Sequence, residues 1–141
     1  CLETGASGSA VHRIFMEKLA QKRVSMLSDK YNRGEQILLE DILEALGQED
    51  VLAIEVMETV GHTLGKAMAG LINLFNPDLI VLGGTLAVAK DYIMLPLKSA
   101  INKYSLQLVN KDTTIKLSKL GEKAGAVGAC MLSRSKMLGL M

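Results

Sequence analysis

The feature that most limits the possible folds is a long apolar-striped segment, Asp50 to Phe75, that runs almost directly into an unbroken apolar stretch and two glycines. Apolar residues recur every three or four positions, which predicts one long helix, and Pro77 ends it because proline cannot continue a helix. The stripe consists of Met57, Val60, Leu64, Met68, Leu71 and Phe75. The stretch LIVLGG, residues 79–84, is rich in branched residues without alternation, as in a strand covered on both faces of a parallel sheet. A helix leading into such a strand predicts an α/β fold.

A second stripe on the same predicted helix consists of small residues, Gly61, Gly65 and Ala69, spaced four apart. Each glycine costs about 1 kcal/mol relative to alanine inside a helix, so a compensating contact is expected. Either another helix backbone packs very close to the stripe, or a second subunit does. The sequence leaves both explanations open, and the second one predicts a dimer or a larger homo-oligomer.

Shorter elements on both sides of this unit predict a helix-rich chain. Further helices are predicted over residues 8–23, 39–46, 96–104 and 123–136, with Pro96 in the first turn of the third. Residues 25–35 are polar and are predicted to be a loop, whereas TTIKLS, residues 113–118, alternates as a half-exposed strand does. Because only two strands are predicted, part of the sheet is expected to come from residues before Cys1 or from another copy of the chain.

Charge and cysteine content argue against several classes of protein. Sixteen lysines and arginines stand against fifteen acidic residues, and the basic run Lys18–Arg23 fits a solvated helix face better than a nucleic-acid surface. Two cysteines, without disulfide-type spacing or a signal peptide, indicate a reducing cytoplasm. No apolar run is long enough to span a bilayer, so no membrane contact is predicted.

Two glycine-rich motifs mark places where a ligand could approach the backbone. Gly83 and Gly84 follow the predicted strand at its carboxyl end, where open α/β sheets bind ligands, although two glycines also suit a tight turn. The string GEKAGAVGAC, residues 121–130, opens a helix whose amide end attracts anions. Small residues for close packing explain this string equally well, so neither motif identifies a ligand by itself.

Three strings, in this order, resemble the carboxy-terminal half of the ROK family, the bacterial sugar-responsive repressors and sugar kinases. They are CLETGASG at residues 1–8, INLFNPDLIVLGG at 72–84 and KLGEKAGAVGAC at 119–130. The resemblance covers nearly the whole chain. It implies an actin-like ATPase, ribonuclease H-like lobe, a helix-rich α/β unit with a partly parallel sheet and flanking helices. Residues 1–141 would form one such lobe, incomplete without an upstream half.

The resemblance also implies roles for individual residues. Cys1 corresponds to the last of three cysteine ligands of a structural zinc site whose other ligands lie upstream, so this chain alone would bind zinc poorly. Glu3 corresponds to a glutamate that accepts hydrogen bonds from sugar hydroxyls, although an acid here also suits a helix start. Gly83 and Gly84 correspond to glycines that line the adenosine side of the kinases' nucleotide cleft, and Thr85 stands where a third glycine often follows.

Two functions follow from the resemblance, and a third alternative is an interaction module without a ligand. In a regulator, a sugar or sugar phosphate closes the cleft and alters DNA binding by a helix-turn-helix outside these residues. In a kinase, a sugar is phosphorylated from ATP and magnesium by an upstream aspartate acting as general base, so this chain alone would be inactive. Thr85 and the string ETGASGSAVHRIFMEKL favour the regulator.

The remaining residues with reactive side chains carry no predicted chemistry. His12 and His62 lack a partner acid at catalytic spacing, so each is predicted to be a surface residue or a hydrogen-bonded structural one. Cys130, among small apolar residues, is predicted to be a buried and unreactive thiol.

Overall fold

The structure, a computed structural model, describes residues 1–106 and 112–139. In order, the elements of this part are α1 (Leu2–Gly5), α2 (Gly8–Ala20), α3 (Ser28–Asn32), α4 (Leu39–Gly47), α5 (Val51–Phe75), β1 (Leu79–Leu82), a first 3₁₀ helix (Thr85–Ala89), α6 (Asp91–Tyr104), β2 (Thr114–Leu117), a second 3₁₀ helix (Gly121–Lys123) and α7 (Ala124–Met137). The fold is helix-rich α/β with a small parallel sheet, as predicted. Across the described residues, no helix is both long and apolar enough to cross a membrane.

The long helix α5 has the predicted extent, but its apolar stripe is buried over only part of that length. Asp50 caps its first turn, accepting a hydrogen bond from the Ala53 amide at 2.9 Å. The stripe is buried from Met57 to Met68. Leu71 and Phe75 are 49% and 69% exposed, and Ile72 takes the buried position instead. Phe75 lies 18 residues after Met57, which is five full turns, so it is on the same side of α5. The stripe therefore continues past the described residues that cover it.

Helices α5 and α6 approach each other very closely at Gly61 and Gly65. A Cβ added at Gly65 would lie 2.4 Å from the Leu97 carbonyl oxygen, and one at Gly61 would lie 2.7 Å from Pro96 Cγ. The small-residue stripe therefore packs within the chain, which is the first of the two predicted explanations. Because α6 occupies the stripe, the stripe gives no support to a homo-oligomer.

Helix α6 begins at Asp91, so the prediction that Pro96 lies in its first turn was wrong. A proline inside a helix leaves the carbonyl four residues earlier, that of Tyr92, without its amide donor, and the ring needs extra space. Gly61 provides that space, since Pro96 packs directly against it. The proline is tolerated inside α6 because the facing helix has no side chain at this point.

The two strands pair in parallel over their whole length. β2 is half-exposed, as predicted. β1 differs from its prediction because Leu79 and Val81 are 50% and 56% exposed, whereas Ile80 and Leu82 pack on the core. Within residues 1–106 and 112–139, the outer face of β1 has no cover, so this strand is covered on one face instead of two.

Helix α7 also differs from its prediction. Cys130 is exposed rather than buried, and no described residue of α7 is buried. A Cβ added at Gly125 or Gly128 would meet no atom within 4 Å among the residues that the structure describes. The small residues of this helix imply a close neighbour, and the described elements do not supply one.

The polar segment 25–35 contains the short helix α3, where the sequence predicted a loop. Its entry is held by side-chain-to-backbone hydrogen bonds, from the Ser25 amide to Ser28 Oγ at 3.0 Å and from the Leu27 amide to Ser25 Oγ at 3.1 Å. Asp50 Oδ2 adds a bond from the Met26 amide at 2.7 Å. Such local polar bonds leave no apolar periodicity in the sequence, so the sequence did not predict this helix.

The predicted basic run Lys18–Arg23 is partly paired. Glu55 of α5 accepts hydrogen bonds from Lys18 at 2.8 Å and from Arg23 at 2.5 Å. The Lys18 bond and the Arg23 charge hold the pKa of the Glu55 carboxyl below its usual value. These bonds join the end of α2 to α5.

Candidate functional site

Glu3, the residue predicted to bind sugar, lies in α1, a single helical turn at the amino end of the chain. Its side chain is exposed, as is that of Cys1. In the part of the chain that the structure describes, the Glu3 carboxylate forms no hydrogen bond or ion pair. Its oxygens are therefore available to a ligand.

One internal hydrogen bond shapes α1, and the approaches of two other helices hold it in place. Thr4 Oγ1 donates a hydrogen bond to the Cys1 carbonyl at 2.7 Å, and Arg13 Nη2 of α2 donates one to the Thr4 carbonyl at 3.0 Å. On another side, a Cβ added at Gly5 would lie 3.3 Å from Thr63 Cγ2 of α5. The position of Glu3 is thus set jointly by α2 and α5.

Gly83 and Gly84 follow β1 at the carboxyl edge of the sheet, as predicted. Gly84 has φ +80° and ψ −172°, a backbone conformation that is essentially restricted to glycine. A Cβ added at Gly84 would meet no described atom within 4 Å, and one at Gly83 would lie 3.7 Å from Ser118 Cβ, just after β2. The ends of both strands therefore lie side by side, with open space at Gly84.

A pocket of about 280 Å³ lies further along the chain, between α4 and the start of α6. Apolar residues of α4 and of the first 3₁₀ helix line it, among them Leu43 and Val88, and Lys90 and Asp91 supply charged groups. Lys90 has φ +46°, which is uncommon for a residue with a side chain, and such backbone strain concentrates at functional sites. The pocket therefore combines an apolar wall with one cation and one anion.

The sequence interpretation missed this pocket and also missed Arg13. The pocket joins two elements more than forty positions apart, from Leu43 to Val88, and only the tertiary fold brings them together. Arg13 had one visible signal, its spacing of four from Glu17, which predicts a helical ion pair. That spacing does not predict the hydrogen bond from Arg13 to the Thr4 carbonyl, because every residue has a backbone carbonyl.

Cys1, the predicted zinc ligand, is a single sulfur donor, whereas a structural zinc site needs four donors. Among the described residues, no group of three or more metal-binding side chains comes together. Zinc therefore remains a prediction that depends on further ligands. The two histidines are structural or surface residues, as predicted: His12 Nε2 is 2.8 Å from the Ile37 carbonyl oxygen, and exposed His62 meets Tyr104 edge to face.

We expect Gly84→Ala to lower the free energy of unfolding by about 1–2 kcal/mol, because alanine adopts the Gly84 backbone conformation only with strain. Gly47→Ala is the matched control, since a Cβ there also meets open space among the described residues but without a positive φ. Because Gly47 is the last residue of α4, alanine there should leave the stability unchanged or raise it by up to about 1 kcal/mol. Urea unfolding of both variants measures the difference, and equal stabilities would contradict the assigned strain.

Known proteins resemble this chain in sequence and fold. A sequence model of the ROK family matches residues 1–136. The chain is 31% identical to a glucokinase of Halalkalibacterium halodurans, covering 96% of this chain and 41% of that protein. It is 33% identical to the DNA-binding transcriptional dual regulator NagC of Escherichia coli, covering 98% of this chain and 32% of that protein. A ROK family glucokinase from Streptomyces griseus, solved in complex with glucose and AMPPNP, superposes with a TM-score of 0.80 at 26% identity, over 96% of this chain and 45% of that one. The chain spans less than half the length of each of these proteins.

Proposed function

The chain belongs to the ROK family, and from this premise we propose that it is the sugar-sensing carboxy-terminal lobe of a cytoplasmic regulator of carbohydrate metabolism. The lobe, residues 1–141, would have the actin-like ATPase fold and would be completed by an upstream half that carries the DNA-binding helix-turn-helix. The proposal rests chiefly on Glu3, an exposed carboxylate on a helical turn held by two larger helices.

Glu3 suits a polyol because a carboxylate offers about four lone-pair sites to hydroxyl donors. Its turn touches α5 through Gly5 and Thr63, so a bound sugar would be coupled to the central helix. The sugar would change DNA binding only if the open and closed forms of the protein bound it with different affinity. Cys1, two residues before Glu3, would give one ligand to a structural zinc ion near the sugar.

A sugar kinase is the second candidate, and the pocket between α4 and the start of α6 favours it. Gly83 and Gly84 leave the backbone open, and the pocket of about 280 Å³ that follows has the apolar wall and polar rim expected for a nucleotide base. ATP and magnesium would then be required, with the catalytic aspartate in the upstream half. Thr85, which begins the first 3₁₀ helix where a third glycine is expected, weighs against this candidate.

Glu3→Gln in the full-length protein is expected to weaken sugar binding about tenfold, because one ionised acceptor is replaced by a neutral amide. Isothermal titration calorimetry with D-glucose, N-acetylglucosamine and their 6-phosphates measures the change for the tightest ligand. Glu58→Gln, at another exposed glutamate, is the control and should stay within about twofold of the unsubstituted protein. An unchanged affinity in Glu3→Gln would refute the sugar-binding role.

The two candidate functions separate in two assays on the same protein. A regulator is expected to release or bind its operator DNA when the tightest sugar is added, without forming phosphorylated sugar from ATP. A kinase forms the sugar phosphate with ATP and magnesium. Turnover of any hexose by the purified protein would replace the regulator proposal with the kinase.

A further inference from the structure

Arg13 connects helix α2 to the turn that carries Glu3. Its two terminal nitrogens make different bonds: Nη2 donates to the Thr4 carbonyl at 3.0 Å and Nη1 donates to Glu17 Oε1 at 2.6 Å. Glu17 lies one turn further along α2, so it fixes the direction of the guanidinium. The other nitrogen then points at α1, next to the backbone of Glu3.

The bond to Thr4 meets a need that α1 cannot satisfy by itself. The last carbonyls of any helix lack amide partners within the helix, and a cation near that end is favourable. With four residues, α1 consists almost wholly of such ends. A planar guanidinium can serve a carbonyl and a carboxylate at once, which a single ammonium group does less well.

The other sides of α1 are held less firmly. The close approach of Gly5 to Thr63 blocks movement towards α5, and the bond from Thr4 Oγ1 to the Cys1 carbonyl is internal to the turn. Of the hydrogen bonds that the structure describes, only the one from Arg13 joins α1 to another helix. Without Arg13, α1 would have to be ordered when the ligand binds, which lowers affinity.

We propose that Arg13 is a positioning residue for the sugar site: it holds the Glu3 carboxylate ready through the Thr4 backbone and does not touch the sugar. The inference rests on the proposed sugar-binding function. Arg13 is 52% exposed, so it contributes little to the core, and its effect should appear in ligand affinity.

The test measures the affinity of the full-length protein for D-glucose and N-acetylglucosamine by calorimetry. Arg13→Ala is expected to weaken the tighter of the two by about 3- to 10-fold, the scale of one hydrogen bond. Added to Glu3→Gln, it should change the affinity less than about twofold, because the group that it positions is gone. The matched control is Arg33→Ala, which removes another exposed arginine bonded to a glutamate, Glu35 at 2.5 Å, and should leave the affinity unchanged.

The outcomes separate this inference from the proposed function. If Glu3→Gln weakens binding and Arg13→Ala does not, the positioning role is wrong and the sugar site stands. If Arg13→Ala weakens binding equally in both backgrounds, it acts independently of Glu3, and the inference also fails. If neither sugar binds the unsubstituted protein, the proposed function fails first. Should Arg13→Ala fold poorly, Glu17→Gln loosens the same guanidinium, and a loss of affinity is again required.

Discussion

Replacing Gly65 with alanine is expected to lower the free energy of unfolding by about 3 kcal/mol, although alanine is the better helix former. The added Cβ would lie 2.4 Å from the Leu97 carbonyl oxygen and 2.8 Å from Ala100 Cβ. Neither neighbour is the end of a flexible side chain that can turn away. The two helices would have to separate along their closest contact.

Gly70→Ala is the matched control on the same helix. Gly70 is exposed, and a Cβ there would meet no described atom within 4 Å. The same substitution should therefore stabilise the protein by up to about 1 kcal/mol through helix propensity alone. Urea unfolding followed by circular dichroism measures both variants, and the same sign of change at the two positions would contradict the packing described for α5 and α6.

Asp50→Ala is expected to cost about 3 kcal/mol of stability because the Asp50 carboxylate accepts two backbone hydrogen bonds. One comes from the Ala53 amide at the start of α5, at 2.9 Å, and the other from the Met26 amide, at 2.7 Å. Loss of the helix cap costs about 1 kcal/mol, and an amide left without an acceptor in this 9% exposed site costs about 1–3 kcal/mol more.

Two further aspartate variants make the Asp50 experiment specific. Asp50→Asn keeps the shape but turns one acceptor into a donor that faces an amide, so most of the loss should remain. Asp29→Ala removes an exposed aspartate from the first turn of α3, and its effect should stay below about 0.5 kcal/mol. Thermal and urea unfolding compare the three. An Asp50→Ala variant as stable as Asp29→Ala would show that the two bonds contribute little.

The sequence predicted the helices, and the parallel pairing of the strands, wherever one apolar pattern dominates the segment. Helix α5 was predicted within one residue because its apolar stripe and Pro77 agree, and the glycines at positions 61 and 65 correctly indicated a very close neighbour. The neighbour itself was not predictable, since a stripe of small residues fits a second subunit as well as a second helix. The start of α6 was missed because the space for Pro96 comes from Gly61, on a different helix.

Burial was predicted less well than secondary structure. Cys130 lies among small residues, and the outward face of β1 is apolar. Such residues indicate that something covers them, but they do not show what covers them. In the described residues that cover is absent, so both are exposed. Apolar and small residues indicate that a segment makes close contacts, and only the three-dimensional arrangement shows whether a given stretch of chain makes them.

For the candidate site, the sequence indicated which residues could contact a ligand, and the structure showed which contacts hold them in place. Glu3, Gly83 and Gly84 came from the family resemblance, and their roles as ligand contacts remain predictions. The structure adds their accessibility: among the described residues the Glu3 carboxylate is unpaired, and Gly84 has a positive φ. Arg13 was identified only from its hydrogen bond to the Thr4 carbonyl oxygen. Every residue has a backbone carbonyl, so the sequence does not indicate which of them is bonded.

The close contact between α5 and α6 limits the kinds of movement that are open to this lobe. Packed side chains can slide past one another by small rotamer changes, which is how shear motions occur, but here a carbonyl and a proline ring sit against bare glycine backbone. A displacement along the helix axes would drive Pro96 into the residues flanking Gly61. Helices α5 and α6 should therefore move together as one rigid block.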